Sequence, residues 1–193
     1  MLVQLLSPED LNRTITRLAH QAVERFDNLE HFALVGLQTR GVFLAKRMAE
    51  HIESLYQTEV KLGVLDVTFY RDDFRTSTSK SLPEAKITEI PFDLTNMNIL
   101  LVDDVLYTGR TIRSAMEALN SFGRPAEIRL CTIVDRGHRE LPVAPDITGL
   151  QVPTHENERV EVHVKEVDGQ DGVFIRRKNK VLNFTSDQPK EAK

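Results

Sequence analysis

Residues 98–111 read NILLVDDVLYTGRT and contain the signals that decide the fold. Residues 99–102 form an unbroken apolar run, which has the length and composition of a fully buried strand. Two carboxylates follow this run, Asp103 and Asp104, and then a short turn rich in hydroxyl groups. Beyond the turn, apolar residues recur at spacings of three and four, which predicts a helix that begins near Arg110.

The turn at residues 108–111 has the groups that a phosphate site needs. A helix N-terminus presents backbone N–H groups without intrahelical partners, and these groups attract phosphate. Thr108 and Thr111 add hydroxyl donors, and Gly109 lets oxygen atoms of a ligand approach the backbone. Arg110 adds positive charge, so we predict a phosphate site here.

The acidic pair, Asp103 and Asp104, must serve another part of the same ligand, because two carboxylates repel a phosphate. A sugar diol or Mg²⁺ suits them, since Mg²⁺ is usually held by one or two carboxylates, waters and phosphates of the ligand. The residues predict a site for a ribose phosphate with Mg²⁺. A solvated acidic strand end before an ordinary helix is the alternative that spacing alone leaves open.

The complete string resembles the phosphoribosyl-pyrophosphate signature of the type I phosphoribosyltransferases. In that signature, hydrophobic residues, two acids and a Thr-Gly-Lys/Arg-Thr turn occur in this order. Within the superfamily, residues 102–111 look most like the uracil phosphoribosyltransferases that also regulate pyrimidine operons by attenuation. The resemblance, which runs from about residue 11 to residue 175, implies that Asp103 and Asp104 are catalytic and bind the metal. It also implies that phosphoribosyl pyrophosphate is bound by this pair and by Tyr107, Thr108, Gly109, Arg110 and Thr111.

A second strand, turn and helix occur at residues 32–55. Gly36 and Gly41 have the spacing of a P-loop, but Val42 and Phe43 stand where Lys and Ser/Thr are required, which excludes a nucleotide triphosphatase. By resemblance, Thr39, Arg40 and Gly41 form the pyrophosphate loop, with Arg40 as a further catalytic residue. A guanidinium group is suited to bidentate phosphate contacts.

Two more segments match the same family. A Ser/Thr-rich stretch follows a predicted strand at residues 64–70, and the resemblance implies a lid over about residues 71–90 that includes Arg71, Asp72 and Asp73. Closure of such a lid would exclude water from a reactive sugar cation. Residues 135–142 read DRGHRELP. In the family this string belongs to a hood over the base, which here implies Asp135, Arg136, Gly137 and His138.

A polar helical face could bind RNA. Ser7 and Pro8 start a helix, and its side opposite the apolar stripe has polar residues at spacings of three and four. Such a face is ordinarily only solvated. The resemblance implies an RNA surface made of this face and the hood loop, with Arg13, Thr16, Arg17, His20, His138 and Arg139.

Length and composition narrow the classes of protein. A chain of 193 residues suits a single domain, and we predict one phosphoribosyltransferase domain over residues 1–175 with a charged tail at 176–193. The net charge of −4 restricts any RNA site to a local basic patch. Cys131, the single cysteine, lies in an apolar run and is predicted to be a core residue. No signal-like start or bilayer-spanning run occurs, so we expect a cytoplasmic protein without a membrane partner.

Strands that alternate with helices predict an α/β fold, with a parallel twisted sheet flanked by helices and ligands at the C-terminal ends of the strands. We expect the type I phosphoribosyltransferase fold, with a small hood built from the N-terminal and later segments. The family forms dimers and larger homo-oligomers, and we expect the same here.

Three functions compete. The first joins uracil to phosphoribosyl pyrophosphate, giving UMP and pyrophosphate, in a protein that also binds pyrimidine-operon leader mRNA in response to UMP. The second is the same catalysis without RNA binding. The third is a purine phosphoribosyltransferase, whose family members usually have an Asp three residues beyond the acidic pair. Tyr107 occupies that position here, which argues against the third function. Because the chain resembles the family that also regulates pyrimidine operons, we expect the first function and keep the second as the alternative.

Overall fold

The computed structural model describes residues 1–26, 29–68, 87–155 and 157–177. The predicted lid residues Arg71, Asp72 and Asp73 lie outside these ranges, as does the tail from residue 178 onward. The strands are β1 (Leu2–Leu6), β2 (Phe32–Leu37), β3 (Lys61–Leu65), β4 (Asn98–Leu106), β5 (Glu127–Asp135), β6 (Ile147–Gln151), β7 (Glu158–His163) and β8 (Gly172–Arg177). The α-helices are α1 (Pro8–Arg25), α2 (Arg40–Tyr56), α3 (Arg110–Leu119) and α4 (Lys165–Asp168), and a short 3₁₀ helix spans Asn120–Phe122.

The main sheet has five parallel strands in the order β3-β2-β4-β5-β6. Its two faces are both buried. Leu34 and Leu100 belong to a core cluster with residues of α1 and α2. Val35 and Leu101, the next residues along the same strands, belong to a second cluster with residues of α3. Continuous apolar strands are expected for a sheet covered on both faces, so the predicted parallel α/β fold is confirmed.

A second, antiparallel sheet of three strands has the order β1-β8-β7. It joins the N-terminus to the last described segments, as predicted for the hood. β1 leads directly into α1, whose start is also as predicted: Ser7 Oγ accepts a hydrogen bond of 3.1 Å from the backbone N–H of Asp10. The Asp10 side chain in turn accepts from the backbone of Ser7, which completes a capping box.

The structure differs from the sequence prediction at three places. The strand predicted at residues 64–70 ends at Leu65, because the Asp66 carboxylate accepts from the backbone N–H of Thr68 at 2.9 Å and turns the chain. Gly169 and Gly172 predict a hairpin turn before β8, but the connection between β7 and β8 contains α4. Finally, β8 continues through Arg176 and Arg177, which were predicted to lie in the tail.

The extension of β8 lies between two strands, since Arg176 is paired with Leu2 of β1 and with Arg159 of β7, and charged side chains stabilise it further. Arg176 pairs with Glu161 through two hydrogen bonds, at 2.7 and 2.9 Å. Arg177 donates to Glu158 at 2.7 Å. Both acids lie on the neighbouring strand β7, so these pairs hold the end of β8 in the sheet.

Within the described ranges, none of the helices has the length and apolar composition needed to cross a membrane.

Candidate active site

The acidic pair lies near the C-terminal end of β4, in the middle of the sheet. Asp103 is 9% exposed, and its Oδ1 accepts from the backbone N–H of Asp104 at 2.9 Å. Oδ1 of Asp104 accepts from the backbone N–H of Val105 at the same distance. These bonds orient both carboxylates at the end of β4.

The predicted phosphate turn follows at once. Gly109 has φ +89° and directly precedes α3, and a side chain there would press against Val143 and Leu141. The carbonyl oxygen of Thr108 accepts from the backbone N–H groups of Glu140 and Leu141, at 3.0 and 3.1 Å. The turn is therefore supported by residues 140–143, and it requires glycine at its left-handed position.

Two adjoining cavities open beside these residues. One, of about 500 Å³, is lined by residues 103–112 and by Arg136, Glu140, Arg159 and Val160. The other, of about 260 Å³, is lined by Arg40, Asp104 and residues 159–163. Asp104, Arg159 and Val160 line both. The structure thus brings the acidic pair, the phosphate turn and Arg40 to one cleft between the main sheet and the hood.

The turn between β2 and α2 packs directly on β4. A Cβ at Gly41 would overlap with the carbonyl oxygen of Val102, and a Cβ at Gly36 would lie 2.5 Å from the Cα of Val42. The peptide bond between Gln38 and Thr39 is cis. The backbone N–H of Gln38 donates to the carbonyl oxygen of Leu65 at 2.9 Å. These contacts place the predicted pyrophosphate loop beside the acidic pair.

Both arginines assigned to phosphate have acidic partners. Arg40 donates to Asp168 from Nε at 3.0 Å and from Nη2 at 2.6 Å. This pairing raises the pKa of Arg40 and lowers the pKa of Asp168 from their ordinary values. Arg110 donates from Nε to Glu140 at 2.6 Å. Because the Arg110 and Glu140 side chains are both about half exposed, that pair is a weak one.

The hood loop is arranged around Arg136, which is 8% exposed. Its Nε donates to Oγ1 of Thr154 at 3.2 Å and its Nη2 to the carbonyl oxygen of Glu158 at 2.9 Å. The guanidinium lies 4.1 Å above the ring of Tyr107, a cation–π contact. Arg136 therefore links the hood to the end of β4.

The other predicted hood residues lie further from the main cavity. Asp135 and Gly137 line a second pocket of about 320 Å³, together with Arg136 and residues 151–153. Nε2 of His138 lies 2.6 Å from the carbonyl oxygen of Thr154, and its ring meets that of Tyr107 edge to face, with centroids 6.0 Å apart. Of the four predicted residues, Arg136 is the one that lines the main cavity.

The predicted RNA residues of α1 lie along one side of that helix. Arg13 pairs with Asp10 on its own helix, and Thr16 donates to the carbonyl oxygen of Asn12 at 3.1 Å. Thr16, Arg17 and His20 also reach other elements. Oγ1 of Thr16 lies 3.3 Å from Nε2 of His51 on α2. Nη2 of Arg17 donates to the carbonyl oxygen of Gly149 at 2.6 Å, and Nδ1 of His20 lies 3.3 Å from the hydroxyl of Tyr56.

Arg139 differs from the arginines of α1. Its guanidinium pairs with Asp135 at 2.7 Å and donates to the carbonyl oxygens of Tyr107, Gly137 and Val143 at 2.8 to 3.1 Å. Arg139 thus holds its own loop against the end of β4, and we expect its main effect to be on the shape of that loop.

The donor set fits Mg²⁺ held jointly by protein and ligand. Among the described residues, no group of three or more His, Cys, Asp or Glu side chains converges on a metal position. Two adjacent carboxylates, Asp103 and Asp104, are what Mg²⁺ usually takes from a protein when phosphates and waters complete its shell.

Sequence reasoning missed several residues of the cleft. Arg159, Glu161 and His163 line it from β7, Asp168 binds Arg40, and Glu140 binds Arg110. The pattern of residues 160–164 predicts a strand, but a short strand of this kind does not show which other element it will face.

Comparison with known proteins now identifies the family. The model of the phosphoribosyl transferase domain matches residues 3–166, which is most of the chain. The chain is 49% identical over 173 residues to the bifunctional protein PyrR of Picosynechococcus sp., covering 90% of this chain and 96% of that protein. It is 46% identical to the bifunctional protein PyrR of Bacillus cereus, covering 89% and 95%. The chain therefore belongs to the bifunctional PyrR family of phosphoribosyl transferases.

Solved structures agree with the fold. A hypoxanthine phosphoribosyltransferase from Staphylococcus aureus superposes with a TM-score of 0.66 at 19% identity, covering 93% of this chain and 94% of that one. The hypoxanthine phosphoribosyltransferase from Trypanosoma cruzi gives 0.68 at 13% identity, covering 90% and 94%. At such identities the likeness concerns the fold alone. The predicted family, fold and enzyme class are confirmed.

Proposed function

We propose that the chain joins uracil to phosphoribosyl pyrophosphate to give UMP and pyrophosphate, and that it regulates pyrimidine-operon expression by binding leader mRNA in response to UMP. One observation carries the catalytic part: the acidic pair, the phosphate turn and the turn containing Arg40 meet at one cleft. The relatives named as bifunctional PyrR proteins support both parts.

Each part of phosphoribosyl pyrophosphate has a complementary group in the cleft. Residues 108–111, at the start of α3, would hold the 5′-phosphate through backbone N–H groups. Asp103 and Asp104 would take the ribose hydroxyls and, with the ligand, Mg²⁺. Residues 39–41 would hold the pyrophosphate. We place uracil toward Tyr107 and Arg136, on the hood side of the larger cavity.

The reaction replaces one bond at the ribose C1′ by another. The C1′–O bond to pyrophosphate breaks, the C1′–N1 bond to uracil forms, and the N1 proton of uracil is released to water. Positive charge develops on the ribose during this exchange. Asp103 and Asp104 would stabilise that charge electrostatically, without transferring a proton. Mg²⁺ held at this pair would neutralise charge on the pyrophosphate.

Tyr107 favours a pyrimidine over a purine. Purine phosphoribosyltransferases usually have a carboxylate at this position to serve the purine N7, and Tyr107 offers no carboxylate. The Tyr107 side chain is instead an exposed ring against the guanidinium of Arg136. Purified protein should convert uracil, with phosphoribosyl pyrophosphate and Mg²⁺, faster than hypoxanthine or guanine. Faster conversion of either purine would show that the substrate assignment is wrong.

The regulatory part requires its own measurement. The protein should be titrated with the leader RNA of its own pyrimidine operon at near-physiological salt, with and without UMP. We expect tighter binding with UMP. If UMP leaves the affinity unchanged, the alternative of catalysis without RNA regulation is correct.

We further propose that the chain acts in the cytoplasm as a homodimer or larger homo-oligomer, with a lid at about residues 71–90. Symmetry would duplicate the small polar face of α1, and an extended RNA could contact two copies at once. Light scattering that gives only the 22.0 kDa monomer at micromolar concentration would contradict the proposed assembly.

A further inference from the structure

The short connection between β7 and β8 contains three carboxylates that all bind α2. Glu166, Asp168 and Asp171 belong to this acidic connection, which covers residues 164–171. Their partners are Arg40 and Arg47. These arginines are seven residues apart in the sequence, which is about two helical turns, so they lie on the same side of α2.

Arg47 provides the firm attachment. It donates to Glu166 from Nε at 3.0 Å and from Nη2 at 2.6 Å. It also donates to Asp171 from Nη1 at 3.0 Å and from Nη2 at 2.9 Å. The Oδ1 atom of Asp171 accepts in addition from the backbone N–H of Lys165 at 2.7 Å. Arg47 therefore docks the acidic connection on α2, outside the two cavities of the cleft.

Asp168 is fixed from its own side. Its Oδ2 accepts from the backbone N–H of Val164 at 2.9 Å, and its own N–H donates to the carbonyl oxygen of Val164 at 2.8 Å. The Asp168 side chain is 14% exposed. The bonds from Arg40 are the main reason why its pKa lies below the ordinary value, so the group is ionised at neutral pH.

The geometry of the Arg40 pair leaves part of the guanidinium for a ligand. Asp168 uses Nε and Nη2, so Nη1 is the nitrogen that these two bonds do not engage. Arg40 itself lines the smaller cavity with Asp104 and Arg159. A long arginine side chain loses considerable rotamer freedom when a ligand fixes it, and a partner that fixes it beforehand reduces that loss on binding.

We propose that Asp168 is a positioning residue that holds Arg40 in place to bind the pyrophosphate group. This inference rests on the proposed function, which assigns pyrophosphate to residues 39–41. The opposite role is also conceivable: Asp168 would then compete with the ligand, and Arg40 would have to leave Asp168 before it could bind pyrophosphate. The two readings predict opposite effects when the Asp168 carboxylate is removed.

The test is calorimetric titration of the full chain with inorganic pyrophosphate and Mg²⁺, together with steady-state kinetics. We expect Asp168→Asn to raise both the pyrophosphate Kd and the KM for phosphoribosyl pyrophosphate about tenfold, as loss of one charged hydrogen-bonded contact commonly does. The KM for uracil should not change. The substitution removes a negative charge, which alone would tighten anion binding, so weaker binding cannot come from net charge.

Asp171→Asn is the matched control. It removes the same charge from the same connection, but its partner is Arg47 instead of Arg40. We expect a lower Tm with an unchanged pyrophosphate Kd. In an Arg40→Ala background, Asp168→Asn should have no further effect on that Kd, because Asp168 acts through Arg40. Asp168→Glu, which keeps the charge, should give an intermediate Kd, and it provides the comparison if Asp168→Asn does not fold.

The outcomes separate the two claims. If the wild-type chain binds no pyrophosphate, the proposed function is wrong and the inference fails with it. If the wild-type chain binds pyrophosphate and Asp168→Asn binds it equally well or more tightly, the inference alone is overturned. An equal loss of affinity in Asp171→Asn would also overturn it, since the effect would then be a general one of the acidic connection.

Discussion

The backbone of Gly41 lies so close to the carbonyl oxygen of Val102 that no Cβ fits between them. Val102 directly precedes the acidic pair on β4, and Gly41 belongs to the turn proposed to hold pyrophosphate. The register of the sheet agrees, because Gly36 of β2 pairs with Val102 of β4. The close approach therefore sets the distance between the two halves of the proposed ligand site.

Gly41→Ala should separate these halves. The added methyl group meets backbone, which cannot move aside cheaply, so we expect a loss of about 1–3 kcal/mol of stability. Activity should fall more than tenfold, as misplacement of a catalytic site by about 1 Å can produce. Gly63→Ala is the control, because the atoms nearest to its added Cβ belong to side chains, at 3.3 Å or more, and none belongs to the backbone. Urea denaturation measures the stability of both variants, and steady-state kinetics measures their turnover. Equal turnover in Gly41→Ala and Gly63→Ala would show that the close approach of Gly41 to Val102 does not position the site.

The sequence was sufficient for those parts of the fold that local patterns encode. The buried strand at Phe32–Leu37 and the helix start at Ser7 and Pro8 are predicted and observed at the same residues. The turn at Gly109 was predicted from its residue types. In each case neighbouring residues in the chain contain the whole signal.

The remaining parts depend on contacts between distant segments. Asp168 meets Arg40 across 128 residues, and no spacing in the sequence links them. Arg159 reaches the cleft only because β7 crosses it as part of a second sheet. β3 ends at Leu65 because the Asp66 side chain accepts a hydrogen bond from the backbone of Thr68. The β-forming residues around Asp66 predict instead that the strand continues.

Asp104→Asn should reduce turnover by a factor of about one hundred or more, the usual effect of removing one oriented charge from a transition state. Asp104 lines both cavities, so its charge is well placed to act on the ribose. The substitution is isosteric, and Tm should change little. Glu117→Gln, on the exposed side of α3, removes the same charge and should leave turnover unchanged. Wild-type turnover in Asp104→Asn would exclude the proposed electrostatic role.

Cys131 should be inert in the folded protein. Its side chain is fully buried in β5, and this burial raises the pKa of the thiol to about 12. The thiolate is the reactive form, so little of it exists at pH 8. We expect an aromatic disulfide reagent to react with one thiol per chain in denaturant and with none in buffer. Rapid labelling of the native protein would show that the Cys131 thiol is accessible to the reagent, which contradicts this prediction.

The RNA surface can be tested by comparing two arginines that the structure places in different roles. Arg17 is exposed on α1 and makes one backbone contact, to Gly149, with its Nη2 atom. Arg17→Ala should weaken leader-RNA binding and reduce the slope of log K against log salt by about 1, as expected for one lost phosphate contact. Uracil turnover and Tm should remain at the wild-type values, because Arg17 lines neither cavity of the cleft.

Arg139→Ala should behave differently. This side chain donates a hydrogen bond to the carbonyl oxygen of Tyr107, next to the phosphate turn, so we expect turnover and Tm to fall together with RNA affinity.

Arg124→Ala is the charge-matched control for both variants, since Arg124 is exposed in the connection to β5, at the opposite end of that strand from the hood loop. If Arg17→Ala and Arg124→Ala bind RNA equally well, the polar side of α1 is only a solvated surface. If Arg139→Ala loses RNA binding alone, its guanidinium contacts RNA directly, and the role assigned here to its loop contacts is wrong.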